Sequence, residues 1–156
     1  MSRNGKVNFS EMDQFRKQVE QSFSKSQVEI FIESCAKELA ARLLAMVIKR
    51  TLPGQYPKKS GKKGGTLRRG WTGGKDMDGT VYAQSLKVQH RGGVCVIEII
   101  NPVEYASYVE FGHRTRGGKG WVEGKFILSV AEEEIQASAP KILENKLKKK
   151  LGECFK

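Results

Sequence analysis

The amino-acid sequence predicts an α+β fold in which a long N-terminal helix packs on a small antiparallel β-sheet, with C-terminal helices and two long loops rich in glycine and lysine. The helix is indicated by a stripe of apolar residues at helical spacing between Val28 and Val47. The sheet is indicated by the run 94–100, which is rich in β-branched residues and follows a glycine turn. The loops are the stretches 54–79 and 112–124, where glycines are concentrated and the apolar periodicity stops.

The chain is short, polar and strongly basic. Its 156 residues are expected to form one domain, residues 1–156. Charged residues make up 29% of the chain, and 28 lysines and arginines against 17 acids give a formal charge of +11. This balance favours nucleic acid, an acidic protein surface or anionic lipid as a partner. The longest strictly apolar run, Leu43–Ile48, is far shorter than the roughly 18 residues of a membrane-crossing helix, so no membrane span is predicted. The first six residues lack the apolar segment of a secretory signal, which predicts a protein made and kept in a cytoplasm.

Two helices are predicted within residues 10–50. The first, near residues 10–24, has Ser10 as its expected N-cap and an apolar stripe at helical spacing, formed by Phe9, Met12, Phe15, Val19 and Phe23. Ser24–Ser26 is expected to interrupt it. The second and longer helix ends in Lys49-Arg50, whose charges suit a helix C-terminus, and Leu52-Pro53-Gly54 stops it.

The stretch 54–79 is predicted to be a basic loop that is mobile in the free subunit. A short element from Thr66 to Trp71 is expected near its end. Its cations are Lys58, Lys59, Lys62, Lys63, Arg68, Arg69 and Lys75. Two interpretations stay open: an arm that orders only against a partner subunit, or a nucleic-acid contact in which Tyr56 and Trp71 stack on bases.

A β-hairpin is predicted within residues 80–102, with strands at 86–89 and 94–100, and Asn101-Pro102 ends it. Residues 103–126 are expected to form a short helix, 103–111, closed by Gly112, and then a second basic loop. The cations of that loop are Arg114, Arg116 and Lys119.

Helices are predicted for residues 127–153, with a break or kink at Pro140 and Ser138 as the cap of the last segment.

The sequence contains few residues in patterns that indicate catalysis or metal binding. The only histidines, His90 and His113, are interpreted as polar surface residues, and no nucleophile elbow, phosphate loop or metal-ligand spacing is present. The cysteines lie about 60 residues apart without a close pair, so no disulfide scaffold or zinc site is predicted, and Cys35 and Cys95 are expected to be core thiols. Glu104 and Glu110 are six residues apart and do not face each other on a helix, so catalysis is not expected. A buried or inter-subunit ion pair with Arg114 and Arg116 is predicted for Glu110. No metal or cofactor is predicted.

The segment 103–113 carries an aromatic cluster beside a glycine. Its members are Tyr105, Tyr108, Val109 and Phe111. Burial in the core and a place in a subunit interface are both compatible with this composition.

Three motifs occur in order along residues 28–150. The first is the Gly-Thr-Leu-Arg-Arg-Gly-Trp run at 65–71, which follows the long helix and a proline-containing stretch. The second is Asn-Pro-Val-Glu-Tyr-Ala-Ser-Tyr-Val-Glu-Phe-Gly-His at 101–113, and the third runs from Trp121 to Ala131. In this order they resemble the minor tail component family of long-tailed bacteriophages, whose members are also called tail-completion, neck or head–tail joining proteins. An insertion between Pro57 and Thr66 lengthens the family's first motif.

The resemblance implies an α+β subunit without catalytic activity, located in the tail or neck of a virion after synthesis in the bacterial cytoplasm. It implies a homo-oligomeric ring, expected to be a hexamer, that completes the tail at its head-proximal end or joins it to the head. The expected partners are a tail terminator or tail tube protein and head-connector proteins, with contact to packaged DNA left open. The matching positions are Leu67, Arg68, Tyr105, Ala106, Val109, Glu110, Gly112 and His113. The alternative is a stand-alone nucleic-acid-binding module that uses the basic loop 58–75.

Overall fold

The structure is a computed structural model that describes the backbone of residues 10–154 and the side chains of residues 13–154. The helices are α1 (Ser10–Ser22), α2 (Lys25–Arg50), α3 (Thr66–Gly70), α4 (Gly79–Ser85), α5 (Ala106–Phe111) and α6 (Ile127–Cys154), with a 3₁₀ turn at Lys58–Ser60. The strands are β1 (Gln89–Arg91), β2 (Val94–Val96), β3 (Gly112–Arg114) and β4 (Trp121–Glu123). The predicted α+β class is confirmed. Phe9 and the N-terminal segment inspected for a secretory signal lie outside the described residues.

The break between the first two helices falls where the serines predict it. The Ser24 hydroxyl caps α2 by accepting a hydrogen bond from the backbone N–H of Gln27 at 3.3 Å. From there α2 continues for 26 residues to Lys49 and Arg50. The predicted long helix is therefore confirmed, including its basic C-terminal turn.

The core lies around the C-terminal half of α2, which packs mainly against α4 and α6. Small residues dominate it. The buried apolar residues are Ala40, Ala41, Leu44, Val47, Trp71, Ala83, Ile127 and Ala131. Gly79 lets α4 approach closely, because a Cβ at this position would lie 3.0 Å from the Cβ of Leu44.

Helix α4 lies in a stretch predicted to begin the β-hairpin. The Asp78 carboxylate caps it by accepting hydrogen bonds from the N–H groups of Thr80 and Val81. The hairpin that follows is correspondingly shorter than predicted, with three residues in each strand and antiparallel pairing of Gln89 with Val96.

A second antiparallel hairpin, β3–β4, occurs in the stretch predicted to be a loop. Gly112 pairs with Glu123 and Arg114 with Trp121, so only the tip between the strands remains irregular. The sequence of these two strands lacks the alternation of apolar and polar residues that indicates a half-buried strand. This agrees with the structure, in which all three residues of β4 are exposed and β3 buries only its glycine. The two hairpins form separate two-stranded sheets.

Of the two alternatives predicted at Pro140, a break or a kink, the break is wrong. Helix α6 runs through Pro140 without interruption, and Ser138 does not cap a new helix. Its hydroxyl instead donates to the carbonyl oxygen of Glu134, one turn earlier, at 2.8 Å. Pro140 is exposed.

No helix among residues 10–154 is long and apolar enough to cross a membrane.

Candidate functional site

The second motif forms a joint between α5 and α6, with Glu110 at its centre. Glu110 is 8% exposed. One carboxylate oxygen accepts from the N–H of Leu128 at 2.9 Å, and the other accepts from the N–H and the hydroxyl of Ser129 at 2.8 and 2.7 Å. These N–H groups belong to the first turn of α6, where backbone donors lack partners within the helix. Glu110 is thus a cap for α6 that comes from a distant part of the chain.

Two opposing effects set the pKa of Glu110. Burial is the largest effect and taken alone would raise the pKa. The hydrogen bonds from Leu128 and Ser129 favour the charged form and together outweigh burial, so the pKa lies below its ordinary value. Glu110 is therefore ionised at neutral pH, as a cap at the positive end of a helix requires.

The predicted ion pair between Glu110 and Arg114 or Arg116 does not form within the chain, and its inter-subunit alternative stays a prediction. Both arginines are exposed, and neither forms a salt bridge with a residue in the described part of the chain. Arg114 is at the end of β3, and Arg116 is in the turn between β3 and β4. The partner of Glu110 is the start of a helix, which sequence spacing could not reveal across 18 residues.

Glycines allow the backbones at the joint to approach each other. A Cβ on Gly112, whose φ is +84°, would overlap the carbonyl oxygen of Val122, and one on Gly124 would overlap that of Glu110. The N–H of Lys125 donates to the carbonyl oxygen of Val109 at 2.8 Å, which ties the two segments together. The joint is therefore a rigid support for the β3–β4 hairpin.

The aromatic cluster is on the outside of this joint. Tyr105, Tyr108 and Phe111 are 43%, 57% and 62% exposed, so the alternative that placed them in the core is wrong. Only Val109 of the cluster packs against the core. Trp121 of β4 is also exposed, and the Tyr108 ring lies 5.6 Å from that of His113. We call this set the aromatic face: Tyr105, Tyr108, Phe111, His113 and Trp121.

The first motif is attached to the second by Asn101. The side-chain amide of Asn101 donates to the carbonyl oxygen of Leu67 at 2.8 Å, and its oxygen accepts from the N–H of Val103. Gly70 allows this contact, since a Cβ there would overlap the amide of Asn101. Ala106 is partly buried beside it. The sequence placed Asn101 at the end of a strand and at the start of the second motif, but it did not reveal this contact with Leu67.

The structure removes one element of the nucleic-acid interpretation. Trp71 is buried, and its indole N–H donates to the hydroxyl of Thr51 at 2.8 Å, so it cannot stack on bases. Tyr56 is half-exposed, with the ammonium of Lys62 6.0 Å from the centre of its ring.

The basic loop has a closed base. Gly64 lies so close to Gly54 that a Cβ on it would overlap the Gly54 carbonyl oxygen. The predicted short element is confirmed as α3. The exposed cations of the loop are Lys58, Lys59, Lys62, Lys63, Arg68 and Lys75, while Arg69 is half-buried. At the tip of the β3–β4 hairpin, Lys119 is exposed as well.

His90 and the cysteines are apart from this site. His90 is exposed and forms a 2.8 Å contact with Glu33. Cys35 and Cys95 are free and partly buried, and burial raises the pKa of the Cys35 thiol. Among the described residues, no group of three or more histidine, cysteine or acidic side chains is placed to hold a metal ion.

Comparison with known proteins identifies the family. A family model described as the bacteriophage HK97-gp10 tail component matches residues 13–112, which are 100 of the 156 residues. Comparisons with curated proteins and with solved structures gave no match. The match spans α2, the basic loop and the second motif up to Gly112, and it confirms the resemblance that the motifs indicate. The chain belongs to the HK97-gp10-like family of bacteriophage tail components.

Proposed function

We propose that this tail component is a structural subunit of a homo-oligomeric ring, a hexamer, at the head-proximal end of the tail, where it completes the tail or joins it to the head. Its partners there are the tail terminator or tail tube protein and the head-connector proteins. A role in the virion without catalysis is consistent with membership of a tail-component family.

The observation that carries this proposal is the aromatic face. Large aromatic side chains exposed together are typical of protein contacts, because burying them in an interface removes much apolar surface from water. The joint at Glu110 and Gly112 holds this face rigid, so little ordering entropy opposes association. A contact that repeats head to tail and closes on itself produces a ring.

Light scattering coupled to gel filtration tests the proposal, with the protein alone and then mixed with its cognate tail and connector proteins. A ring-sized assembly is expected in at least one condition. The variant F111S/W121S should lose it, because both side chains belong to the aromatic face.

The control variant is I30S/V81S. Ile30 and Val81 are each 58% exposed, close to the 62% and 55% of Phe111 and Trp121, but lie on α2 and α4 away from the aromatic face. This variant should assemble like the wild type. A strict monomer that ignores every partner, or equal loss in both variants, would refute the proposed interface.

A further inference from the structure

A small pocket of about 230 Å³ opens between the base of the basic loop, the end of α2 and the start of α5. Cationic side chains line it, and no aspartate or glutamate of the described residues does. Two tyrosines, Tyr56 and Tyr105, also line it. The cations are Arg50, Lys63, Arg68 and Lys125.

Three of these cations have no acidic partner. Lys63, Arg68 and Lys125 form no salt bridge with any residue of the described chain. Arg50 is paired through Nη2 with Glu134, but its Nη1 is buried without a hydrogen-bond partner among the described residues. Like charges held around a recess repel each other, and an anion placed among them relieves that repulsion.

The loop geometry holds Lys63 at this recess. The next residue, Gly64, lies against Gly54. This contact at the base of the loop fixes the backbone position of Lys63. By contrast, Lys58 and Lys59 lie in the 3₁₀ turn at the far end of the loop and do not line the pocket. The same loop therefore has a lysine that lines the pocket, Lys63, and lysines that do not, Lys58 and Lys59.

The size and walls of the pocket decide which anion fits. Its volume is below the roughly 300 Å³ at which small-molecule sites usually begin, so it fits a side chain better than a free cofactor. The apolar side chains of Leu67 and Val109 also line it, and they match the methylene groups of a glutamate. Duplex DNA presents its phosphates along a broad convex rod, which requires cations spread over a surface and not gathered in a narrow recess.

We propose that this pocket binds a carboxylate side chain from an acidic segment of a partner protein. The guanidinium of Arg68 and the ammonium groups of Lys63 and Lys125 bind the carboxylate, and the tyrosine hydroxyls donate hydrogen bonds to it. The pocket is separate from the aromatic face except at Tyr105, and the proposal does not require the ring.

Binding of a fluorescein-labelled hexaglutamate peptide to the full-length protein tests this proposal. The pocket variant is K63Q/R68Q/K125Q, and the matched control is K58Q/K59Q/K119Q, which removes the same charge from exposed positions outside the pocket. The pocket variant should weaken binding by about tenfold or more, since each exposed ion pair contributes up to a few-fold in affinity. The control should weaken it by no more than about twofold, through loss of general attraction.

Equal weakening in the two variants would overturn the proposal, since it would show that peptide binding depends on net charge alone. Tighter binding of a short duplex DNA than of the peptide, lost in the same pocket variant, would overturn it in favour of nucleic acid. A measurement on the wild-type protein covers the case in which the pocket variant does not fold. In it, the amide NMR signals of Lys63, Arg68 and Tyr105 should shift on addition of the peptide while those of Lys58 and Lys59 do not, and the reverse pattern would also overturn the proposal.

Discussion

At the scale of single residues, Glu110 is a motif position whose role is architectural. Its carboxylate satisfies two N–H groups and one hydroxyl at the start of α6. A general acid or base needs a free path to a reacting group, whereas both oxygens of Glu110 are occupied and the side chain is buried. The motif therefore connects the aromatic face to the longest helix of the molecule.

Replacing Glu110 by alanine should destabilise the protein by about 1–3 kcal/mol, because buried donors at the start of α6 lose their acceptor. Chemical denaturation followed by circular dichroism measures the change in the free energy of unfolding. The control is E123A, which removes an exposed glutamate from the neighbouring strand β4 and should change stability by less than about 0.5 kcal/mol. Similar values for the two variants would contradict the capping role.

Because the pKa of Glu110 is lowered, the stabilisation that its carboxylate provides depends on pH in a predictable direction. The unfolded chain binds a proton at the ordinary glutamate pKa of 4.5, and the folded state binds it only at lower pH. The stabilisation is therefore complete above 4.5 and is lost as the pH falls through the folded-state pKa. The difference in unfolding free energy between wild type and E110Q should be constant near neutrality and shrink in acid. Glu38 and Asp78, whose pKa values are also lowered, titrate in both proteins and cancel. A difference that grows in acid would contradict the assignment.

The two glycines Gly112 and Gly118 differ in steric contact, and Gly112 also has a ψ of 173°, a backbone region that is essentially restricted to glycine. Both have positive φ values, +84° and +73°, but a Cβ on Gly112 would overlap the backbone of Val122, while one on Gly118 would meet no atom within 4 Å. Gly118→Ala should cost about 1 kcal/mol from the left-handed backbone alone. Gly112→Ala should cost clearly more in the same denaturation experiment, because β4 must move away from Gly112 and the backbone there suits only glycine. Equal costs would show that the joint tolerates such a shift.

At the scale of elements, the sequence predicts those helices whose capping residues and apolar stripes lie within or beside the helix itself. The Ser24 cap, the α2 stripe and Gly112 at the end of α5 are all visible in the sequence. Helix α4 also carries a cap, Asp78, but most of this helix lies in the stretch 80–102 that is predicted to be a hairpin. The hairpin β3–β4 had no local signal, since its position depends on backbone contacts between Gly112 and Gly124 that only the folded chain brings together.

Helix α6 allows the effect of Pro140 on the stability of the protein to be measured. Pro140 lies inside the helix, where it removes one backbone hydrogen bond. Beyond it, Lys146 attaches α6 to α2 by donating to the carbonyl oxygen of Ser34 and the carboxylate of Glu38. If this attachment does not need a bend at residue 140, Pro140→Ala should stabilise the protein by about 1–3 kcal/mol, seen as a higher thermal midpoint.

A lower midpoint for Pro140→Ala would show instead that a bend at Pro140 aligns Lys146 with α2. The matched control is Ala137→Pro, which places a proline three residues earlier on the same exposed stretch of α6. It should destabilise the protein, since it adds a second missing hydrogen bond.

At the scale of the whole molecule, the buried core is thin and several large apolar side chains of the N-terminal helices are exposed. Val28 and Ile32 on α2 belong to the stripe that predicts this helix, yet both are exposed. Periodicity reveals that a helix has an apolar face, but it cannot distinguish burial within one chain from burial between chains. The same limit applies to the tyrosine segment, whose composition is compatible with both the core and an interface.

The net charge of +11 makes assembly of identical copies depend on salt. Copies of one sign repel, and the repulsion is screened as the Debye length falls from about 10 Å at 0.1 M salt to about 3 Å at 1 M. Contact through the aromatic face is apolar and does not weaken on screening. The ring-sized fraction seen by light scattering should therefore increase as sodium chloride is raised, at constant protein concentration. Binding of the hexaglutamate peptide should decrease over the same range, because it depends on attraction between opposite charges. Assembly that dissolves with salt would show that ion pairs, and not the aromatic face, hold the copies together.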